Sequence, residues 1–570
     1  MFNTDQVIEE QLPKIKNNKL LFKPVSSILK FLLHEKECQS FAEQYPHLEG
    51  IDFVEQVLDY FDFSYSVLDK EKSRIPSSGR VVIIANHPIG SLDGLALLKF
   101  VSDIRPDVKA IANDLLMTIK PLEKSLLPVN NMKGNTPKEN LNNIYSYLNN
   151  DGAVIIFPAG EVSRLKPNGV KDGQWHSGFY RMAKATKSPI VPIFVDGKNS
   201  AIFYSASIIY KPLATMLLMR EMFKQKQKTV ALRIGEGIPY ENYANDNLPT
   251  KTKVKLFHKH LYRIAHNKTG IFKTQSAIAF PEQRQTLKKA LKQCQHLGST
   301  NDAKDIYLYN YDESSPILRE IGRLRELAFR AVGEGTGKKR DIDKYDAYYH
   351  HLILWDKEEL EIIGAYRFAD TKKVINTQGK DALYTETLFK YENEMNTYLE
   401  QGLELGRSFV QPKYWGKRSL DYLWFGIGAF LKVNPQFRYL FGPVSISDSY
   451  PPAAKDLMVY FYNLYFGYTT KVAESNQPYQ YQQPDLAILK ASFSGEDYKA
   501  DFVQLKHLLA NMGVSVPTLY KQYSELCQPG GVQFLAFGTD PEFQDCLDGL
   551  VLVDVTKFTD KKRARYLGED

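Results

Sequence analysis

Cysteine is scarce in this chain, with four residues among 570: Cys38, Cys294, Cys527 and Cys546. They lie far apart and form no CxxC pair, which argues against a disulfide scaffold or a cysteine zinc site and indicates a reducing compartment. The eleven histidines do not cluster with carboxylates at ligand spacing. The sequence therefore predicts no metal site and no bound cofactor.

Long apolar runs are also missing. A membrane-spanning helix needs about 18 or more apolar residues, and the nearest run, at 201–219, is interrupted by Lys211 and Pro212. The first residues, MFNTDQVIEEQLPKIKNNK, are polar and mixed in charge, unlike a signal peptide. We therefore expect a cytoplasmic protein without a transmembrane helix.

Positive charge is concentrated in one region of the chain. The net charge is +7, and residues 211–292 alone hold 17 basic and 5 acidic residues. Within them, TKVKLFHKHLYRIAH places apolar residues at near-helical spacing between basic ones. Such a helix can bind an anionic membrane surface, although an ordinary solvated helix face has the same pattern. No nucleic-acid-binding motif accompanies it, so we expect no nucleic-acid partner.

The order of predicted elements indicates an α/β protein with two different domains. We predict a helical N-terminal region at 1–75, a parallel α/β domain at 76–270, a linker at 271–305 and a mixed α/β domain at 306–570. VVIIA, AVIIFPAG and SPIVPIFVDG supply the buried strands of the first domain. IYLYN, HLILWD, EIIGAYRFA, LYTETLFKY, LELGRSFV and YLFGPVSIS are the predicted strands of the second. The last hundred residues carry no legible role.

A histidine and an aspartate follow the first predicted strand. NHPIGSLDG begins where VVIIA ends, which is where ligands bind in parallel sheets. A hydroxyl acceptor needs a base, and His87 fits that role, with Asp93 fixing its tautomer. Gly90 would let a substrate approach the backbone. The alternative is a loop histidine without a catalytic role.

A second polar group follows the strand AVII. FPAGEVSR places Gly160, Glu161 and Arg164 there. The planar fork of an arginine bonds two oxygens of a phosphate or carboxylate at once. Glu161 would orient that arginine or the substrate, or else cap a helix.

NHP…D, FPAGE…R and IVPIFV, in this order, resemble the motif blocks of the glycerolphosphate and lysophospholipid acyltransferases. Here five residues lie between His87 and Asp93 instead of four, and Glu161 follows the glycine instead of preceding it. The resemblance implies acyl transfer from acyl carrier protein or coenzyme A to a hydroxyl of a lipid precursor. His87 would be the base, Asp93 its partner, and Gly160 with Arg164 the acceptor-binding block.

The second half carries a weaker signal of its own. In LELGRSFVQPKYWGKR, a predicted strand leads into a loop with Lys413, Lys417 and Arg418, and a helix follows. Backbone N–H groups at a helix start, next to cations, suit a pyrophosphate or phosphopantetheine group. A surface loop with solvated cations is the alternative.

FRAVG, DIDKYDAYYHHLILWD, IIGAYR and LELGRSFV, in this order, resemble the branch of the GNAT acyltransferases that uses acyl carrier protein. That branch includes the hemolysin-like ornithine N-acyltransferases. The resemblance implies attack of an amine on a thioester, with Glu404 as base or orienter and Arg407 as an anion ligand. It also implies substrate-binding roles for Arg367, in the typical Tyr-Arg of a preceding strand, and for Ser408 in the active-site strand. An ion pair between Glu404 and Arg407 is the structural alternative.

Together the two halves predict a bifunctional synthase of an aminolipid such as ornithine lipid, peripheral on the inner face of the plasma membrane. One half would N-acylate an amino acid with a 3-hydroxyacyl thioester, and the other would O-acylate the resulting lyso-lipid. Two alternatives stay open: an O-acyltransferase with a non-catalytic GNAT-like half, and a non-enzymatic membrane-surface protein. No motif chooses between ornithine, glycine and lysine, and none sets the acyl-chain preference or the oligomeric state.

Overall fold

The structure is a computed structural model that describes residues 26–27, 30, 34–113, 116–129, 137–167, 169–209, 217–244, 247–482, 486–543 and 545–568. Contacts divide the chain into two compact units, Met1–Ala279 and Phe280–Asp570. The helix predicted over VSSILKFLLHEKE lies largely outside the described residues. Among the described residues, no helix combines the length and apolar character that crossing a bilayer requires.

The first unit alternates strands with helices. In chain order its elements are α1 (Glu35–Gln44), α2 (Gly50–Tyr60), β1 (Ser64–Val67), α3 (Asp69–Lys72), β2 (Val81–Ala85), α4 (Leu92–Ser102), β3 (Val108–Asn113), β4 (Leu126–Val129), α5 (Lys138–Asn149), β5 (Ala153–Ile156), β6 (Arg164–Lys166), β7 (Gly169–Lys171), α6 (Gly178–Ala185), β8 (Ile190–Asp196), α7 (Ala201–Ile209), α8 (Leu218–Phe223), β9 (Thr229–Ile234), α9 (Glu241–Ala244) and α10 (Thr250–Ala265).

Seven of these strands form one sheet in the order β1-β9-β8-β2-β5-β3-β4. The predicted strands VVIIA, AVII and IVPIFVD are β2, β5 and β8, and they are neighbours at its centre. All five residues of β2 are buried, as expected for a strand covered on both faces. Because β5 and β8 both run parallel to β2, the loops after these three strands meet at one edge of the sheet.

The predicted helical leader is wrong over its last segment. The helix over IDFVEQVLDYFDFSYSVL ends at Tyr60, and β1 follows and pairs with β9. Asp62 adopts a left-handed conformation with φ 44°, which stops the helix. Pairing with the sheet edge then outweighs the weak helical periodicity of SYSV.

The basic segment TKVKLFHKHLYRIAH forms α10, as its spacing predicts. Its apolar residues Val254, Phe257 and Leu261 are buried in the core of the first unit. That apolar face is therefore used for packing, which removes the main physical support for a bilayer-bound α10.

The second unit has a larger share of antiparallel strands. Its elements are α11 (Arg284–Leu291), β10 (Gln295–Ser299), β11 (Lys304–Tyr309), α12 (Pro316–Ala331), β12 (His350–Asp356), β13 (Glu361–Asp370), α13 (Thr371–Gln378), β14 (Phe389–Tyr391), α14 (Asn396–Leu399), β15 (Gly402–Val410), α15 (Ser419–Val433), β16 (Tyr439–Ile446), α16 (Pro452–Phe466), β17 (Ala473–Ser475), α17 (Leu486–Ser492), α18 (Tyr498–Asn511), α19 (Thr518–Ser524), β18 (Val532–Asp540), β19 (Cys546–Asp554) and α20 (Asp560–Leu567).

The main sheet of this unit has the order β10-β11-β12-β13-β15-β16-β19-β18. Its middle strands, β15 and β16, are parallel but pair only over Gly402–Glu404 and Tyr439–Phe441. At the end of the paired stretch, a Cβ on Gly442 would lie 1.9 Å from the carbonyl oxygen of Leu405, so the close approach requires glycine there. Beyond this point the two strands part, which opens the centre of the sheet.

Three parts of the second unit differ from the sequence prediction. The predicted linker contains α11 and β10, because Leu287 and Leu291 pack against the α12 side of the core and β10 pairs with β11. LYTETLFKY is not one strand: within it only Phe389–Tyr391 forms a strand, which pairs with β17. The last hundred residues supply β18 and β19 of the main sheet.

Candidate active sites

His87 and Asp93 meet at the carboxyl edge of the first sheet. His87 follows β2, and Asp93 lies in the first turn of α4. The Nδ1 atom of His87 is 3.1 Å from Oδ2 of Asp93. Because Asp93 occupies Nδ1, Nε2 is the ring nitrogen left for a substrate hydroxyl. The His87 side chain is 19% exposed, so a substrate can reach it.

Backbone amides hold Asp93 in place. Its carboxylate accepts hydrogen bonds from the N–H groups of Ile89, Gly90, Ser91 and Gly94 at 2.9–3.1 Å. Burial opposes ionisation of Asp93, but the His87 charge and these hydrogen bonds outweigh it and lower its pKa. Burial also opposes the charged form of His87, and Asp93 outweighs it and raises the pKa of that imidazole. The pair is therefore built as an ionised carboxylate that stabilises an imidazolium.

The neighbouring strands fix the orientation of the imidazole. The ring of His87 stacks on that of Phe157, which follows β5, with centroids 4.2 Å apart. Asn86 bonds both backbone groups of Val195 in β8 through its side-chain amide, at 2.9 and 2.7 Å. The residues before and beside His87 thus tie β2 to both neighbours, which limits movement of the loop.

The two predicted glycines have structural reasons of their own. Gly90 has φ 89°, and a Cβ there would lie 2.3 Å from the side chain of Val162. Its missing side chain therefore makes room for Val162, which differs from the predicted approach of a substrate to the backbone. Gly160 has φ 63° and is exposed in the turn after β5, where it remains accessible.

Glu161 and Arg164 lie beside the loop that carries His87. Nη2 of Arg164 is 3.6 Å from Oε2 of Glu161, as expected for a carboxylate that orients the arginine. Arg164 begins the β6–β7 hairpin, and the preceding Ser163 donates its N–H to the carbonyl of His87 at 2.8 Å. The structure thus brings these predicted residues together with the His87–Asp93 pair.

Asp172, after β7, belongs to the same site and no sequence motif pointed to it. Its buried carboxylate accepts hydrogen bonds from Ser163 Oγ at 2.5 Å, Trp175 Nε1 at 2.9 Å and the backbone N–H of His87 at 3.4 Å. Burial raises the pKa of Asp172, and these hydrogen bonds only partly offset that effect. Asp172 therefore holds two segments together: the hairpin that contains Arg164 and the loop that contains His87.

The second unit contains a buried cluster of arginines and aspartates. Asp346 accepts hydrogen bonds from Arg325 at 2.9 and 3.1 Å and from Arg367 at 3.0 Å. Asp343 accepts one from Arg367 at 2.6 Å, and Asp341 lies 2.9 Å from Nε of Arg325. Burial opposes the charge on Asp346, but Arg325 and Arg367 outweigh it and hold its pKa far below the usual range. The three aspartates fall in the segment DIDKYD, whose roles the sequence did not reveal.

Arg367 is a structural member of this cluster. It is 1% exposed, and its guanidinium lies 5.2 Å from the ring of Tyr349 and 5.5 Å from that of Tyr384. Aromatic faces attract the guanidinium and so partly replace the water it has lost. The predicted substrate-binding role of Arg367 therefore gains no support from its surroundings.

Glu404 lies on β15 and is 1% exposed. One carboxylate oxygen accepts a hydrogen bond from the hydroxyl of Tyr349 and the other accepts one from the backbone N–H of Thr385. Burial raises the pKa of Glu404, and these bonds only partly offset it. Because both oxygens are occupied, the geometry favours the orienting role over that of the base.

Arg407 and Ser408 lie where β15 has left β16. Arg407 has φ 50°, at an irregularity of the strand, and its guanidinium lies 3.9 Å from the ring centroid of Phe543. It is also 3.5 Å from Asp343, so its ion pair is with that aspartate, and the alternative of an ion pair with Glu404 is not what the structure shows. Ser408 lies close enough to Tyr366 to influence the pKa of its hydroxyl, which hydrogen-bonds the hydroxyl of Tyr523.

Comparisons with known proteins match the two units to two kinds of transferase. A family model described as Acyltransferase matches residues 7–268, and one described as Acetyltransferase (GNAT) domain matches residues 324–425. A glycine N(alpha)-acyltransferase of Phocaeicola vulgatus is 33% identical over 305 residues, which covers 51% of this chain and 92% of that protein.

Two further relatives carry related names. A lyso-glycine lipid O-acyltransferase of the same organism is 30% identical over 234 residues, covering 40% of this chain and 83% of that protein. The chain belongs to the acyltransferases. An L-ornithine N(alpha)-acyltransferase of Brucella abortus is 29% identical over 150 residues, covering 23% of this chain and 51% of that protein.

The enzyme class and the two-domain composition predicted from the motifs are thus confirmed. In this acyltransferase, the range matched by the first model contains the His87–Asp93 pair with Arg164. The range matched by the GNAT model contains Arg325, Glu404 and Arg407. Each family range therefore holds one of the two candidate active sites.

Proposed function

We propose that this acyltransferase makes an aminolipid in two steps. The second unit transfers a 3-hydroxyacyl group from a thioester to the amino group of an amino acid. The first unit then acylates the 3-hydroxyl of that product. The observation that supports this most directly is that one chain spans 92% of an N-acyltransferase and 83% of an O-acyltransferase.

The first unit has the groups that O-acylation needs. Nε2 of His87 takes the proton of the acceptor hydroxyl as the oxygen attacks the thioester, and Asp93 stabilises the imidazolium that forms. The thiolate that leaves then recovers this proton from His87. Arg164, held by Glu161, suits an anionic group of the acceptor.

The second unit has a geometry suited to direct transfer to an amine. Where β15 parts from β16, the backbone N–H groups of the open stretch can serve a thioester carbonyl and its oxyanion. The helix that follows β15 in the chain, α15, begins at Ser419 without a side-chain cap, so its first N–H groups are available for a phosphate. Lys417 and Arg418 precede it and are exposed.

We propose acyl carrier protein as the donor, with acyl coenzyme A as the alternative. A cavity of about 810 Å³ in the first unit is lined by Lys166, Arg181, Lys251 and Lys255, and no carboxylate is among its described lining residues. Such a surface suits an acidic carrier with a phosphate-bearing arm. An anionic membrane surface at the inner face of the plasma membrane remains the proposed location of the lipid substrates.

Glycine is the head group that we propose, in place of the ornithine that the resemblance to the ornithine N-acyltransferases suggested. The glycine N-acyltransferase is matched over 92% of its length and the ornithine enzyme over 51%. Lipid mass spectrometry of a host without aminolipids, expressing this chain, tests the proposal. We expect a diacylated glycine lipid, and ornithine in its place would correct the head group.

The same experiment distinguishes the proposal from an O-acyltransferase with an inactive second unit. In that case phospholipid acylation would change and no amino-acid lipid would form. Purified protein that acylates no amino acid from acyl-carrier or coenzyme A thioesters would refute N-acylation directly.

A further inference from the structure

A second group of acidic side chains lies beside the opening between β15 and β16. Glu334 follows α12, Asp540 ends β18, and Cys546 and Asp548 lie on β19. Ligand atoms of Asp540, Cys546 and Asp548 all lie within 4.8 Å of one another. Glu334 accepts a hydrogen bond from Ser445, and the side chains of all four residues are buried.

This acidic group is placed by the separated part of β16. Ser445 is the residue of β16 directly opposite Asp548, and its hydroxyl donates to Oε2 of Glu334 at 2.9 Å. Ser445 lies beyond Phe441, the last residue of β16 that pairs with β15. The acidic group therefore borders the opening in which a thioester carbonyl would lie.

Asp548 lacks a partner for its charge. It is 6% exposed, and no described residue donates a hydrogen bond to its carboxylate. Burial, Asp540 and Glu334 raise its pKa well above the ordinary value, and Arg407 offsets this only in part. Arg407 also pairs with Asp343, so its charge is shared.

Burying several carboxylates without enough positive charge costs free energy, and a bound cation removes that cost. The cation that the proposed reaction supplies is the ammonium group of the acceptor amino acid. An ammonium has three N–H donors, and Asp540 and Asp548 supply acceptor oxygens within 4.8 Å of each other, with Glu334 close enough to raise the pKa of Asp548. Carboxylates exposed elsewhere on the protein would lack both this burial and this position beside the opening between β15 and β16.

We propose that Asp548, with Asp540 and Glu334, binds the ammonium group of the acceptor and that Asp548 takes one proton from it. This rests on the proposed N-acylation. The neutral amine attacks the thioester carbonyl, a C–N bond forms and the C–S bond breaks. The departing thiolate takes the second proton from nitrogen, which leaves an amide, a thiol and one proton on Asp548 that is released to water.

Asp548→Asn tests this role, because it keeps the shape and removes the proton acceptor. We expect kcat/KM for N-acylation to fall by about 100-fold or more at neutral pH, as for loss of a general base. The remaining activity should rise about tenfold per pH unit below the pKa of the amine, because only the free amine then reacts. A denaturant-unfolding midpoint of the second unit equal to that of the unaltered protein reports that the Asp548→Asn variant has folded.

Asp545→Asn is the matched control. Asp545 is exposed on the same hairpin, and Asn tolerates its positive φ of 56°. N-acylation by this variant should equal that of the unaltered protein. A normal rate and pH profile for Asp548→Asn would overturn the proposal.

Two other results would also overturn it. If Asp548→Asn loses activity only with ornithine and keeps it with glycine, the acidic group recognises a side chain and not the reacting amine. If EDTA abolishes N-acylation by the unaltered protein and Zn²⁺ or Mg²⁺ restores it, the group is a metal site. Failure of the unaltered protein to acylate any amino acid would refute the proposed function itself.

Discussion

The two units of this acyltransferase assemble their candidate sites from residues at very different separations along the chain. His87 and Asp93 are 6 residues apart. In the second unit, Arg325 and Asp346 are 21 residues apart, and Arg407 and Asp343 are 64 apart. A site whose residues are close together in the sequence can be recognised as a motif. A site whose residues are far apart in the sequence and meet only through strand pairing has no short sequence signature.

The largest expected effect separates the two units. His87→Ala should lower O-acylation by about 10²–10⁴-fold, because the acceptor hydroxyl loses its base. N-acylation should be unchanged, so a monoacylated amino-acid lipid should accumulate in cells, as measured by mass spectrometry. His47→Ala, at an exposed position of the same unit, is the control. Equal loss of both activities would mean that the units do not work separately.

A substitution in the arginine–aspartate cluster of the second unit should lower the free energy of unfolding as well as the rate of N-acylation. Asp346→Asn leaves Arg325 and Arg367 buried without their shared partner, which should cost about 3 kcal/mol. Denaturant unfolding should show this in the second unit, and N-acylation should be lost with O-acylation retained. Asp545→Asn should change neither the unfolding midpoint of the second unit nor the rate of N-acylation. An unaltered unfolding midpoint would contradict a structural role for the cluster.

The His87–Asp93 pair should be visible as a shifted titration. Asp93 raises the pKa of His87 above its ordinary 6.5, whereas burial lowers it. Asp93→Asn removes the raising contribution, so the midpoint measured by NMR should move to lower pH. Because a base must be unprotonated, O-acylation by the unaltered protein should rise as pH increases through the raised midpoint. The signal is assigned as the resonance missing from His87→Ala.

The smallest expected effect concerns Glu404. If Glu404 orients Tyr349 and Thr385, Glu404→Gln should lower kcat for N-acylation by less than about tenfold, because a glutamine still occupies the site. Removal of a base would cost about 100-fold or more. A loss of that size, with a changed pH profile, would restore Glu404 as the base. Tyr349→Phe should match the smaller effect.

Several strands and helices could be predicted from the sequence alone. The strands β2, β5 and β8 and the helix α15 follow from apolar runs and helical spacing. Sequence reasoning missed β1 and β10, because pairing with a neighbouring strand decided both. It also missed Asp172, since a single aspartate in a loop carries no pattern until the fold places it against His87.

The sequence by itself determined the enzyme class and the first site, because the His87–Asp93 pair requires only a strand end and one helical turn. Only the tertiary structure decided the second site. The parting of β15 from β16, the partners of Glu404 and the group around Asp548 all depend on strand order. Strand order brings distant residues together through the packing of the whole sheet, and no local pattern encodes it.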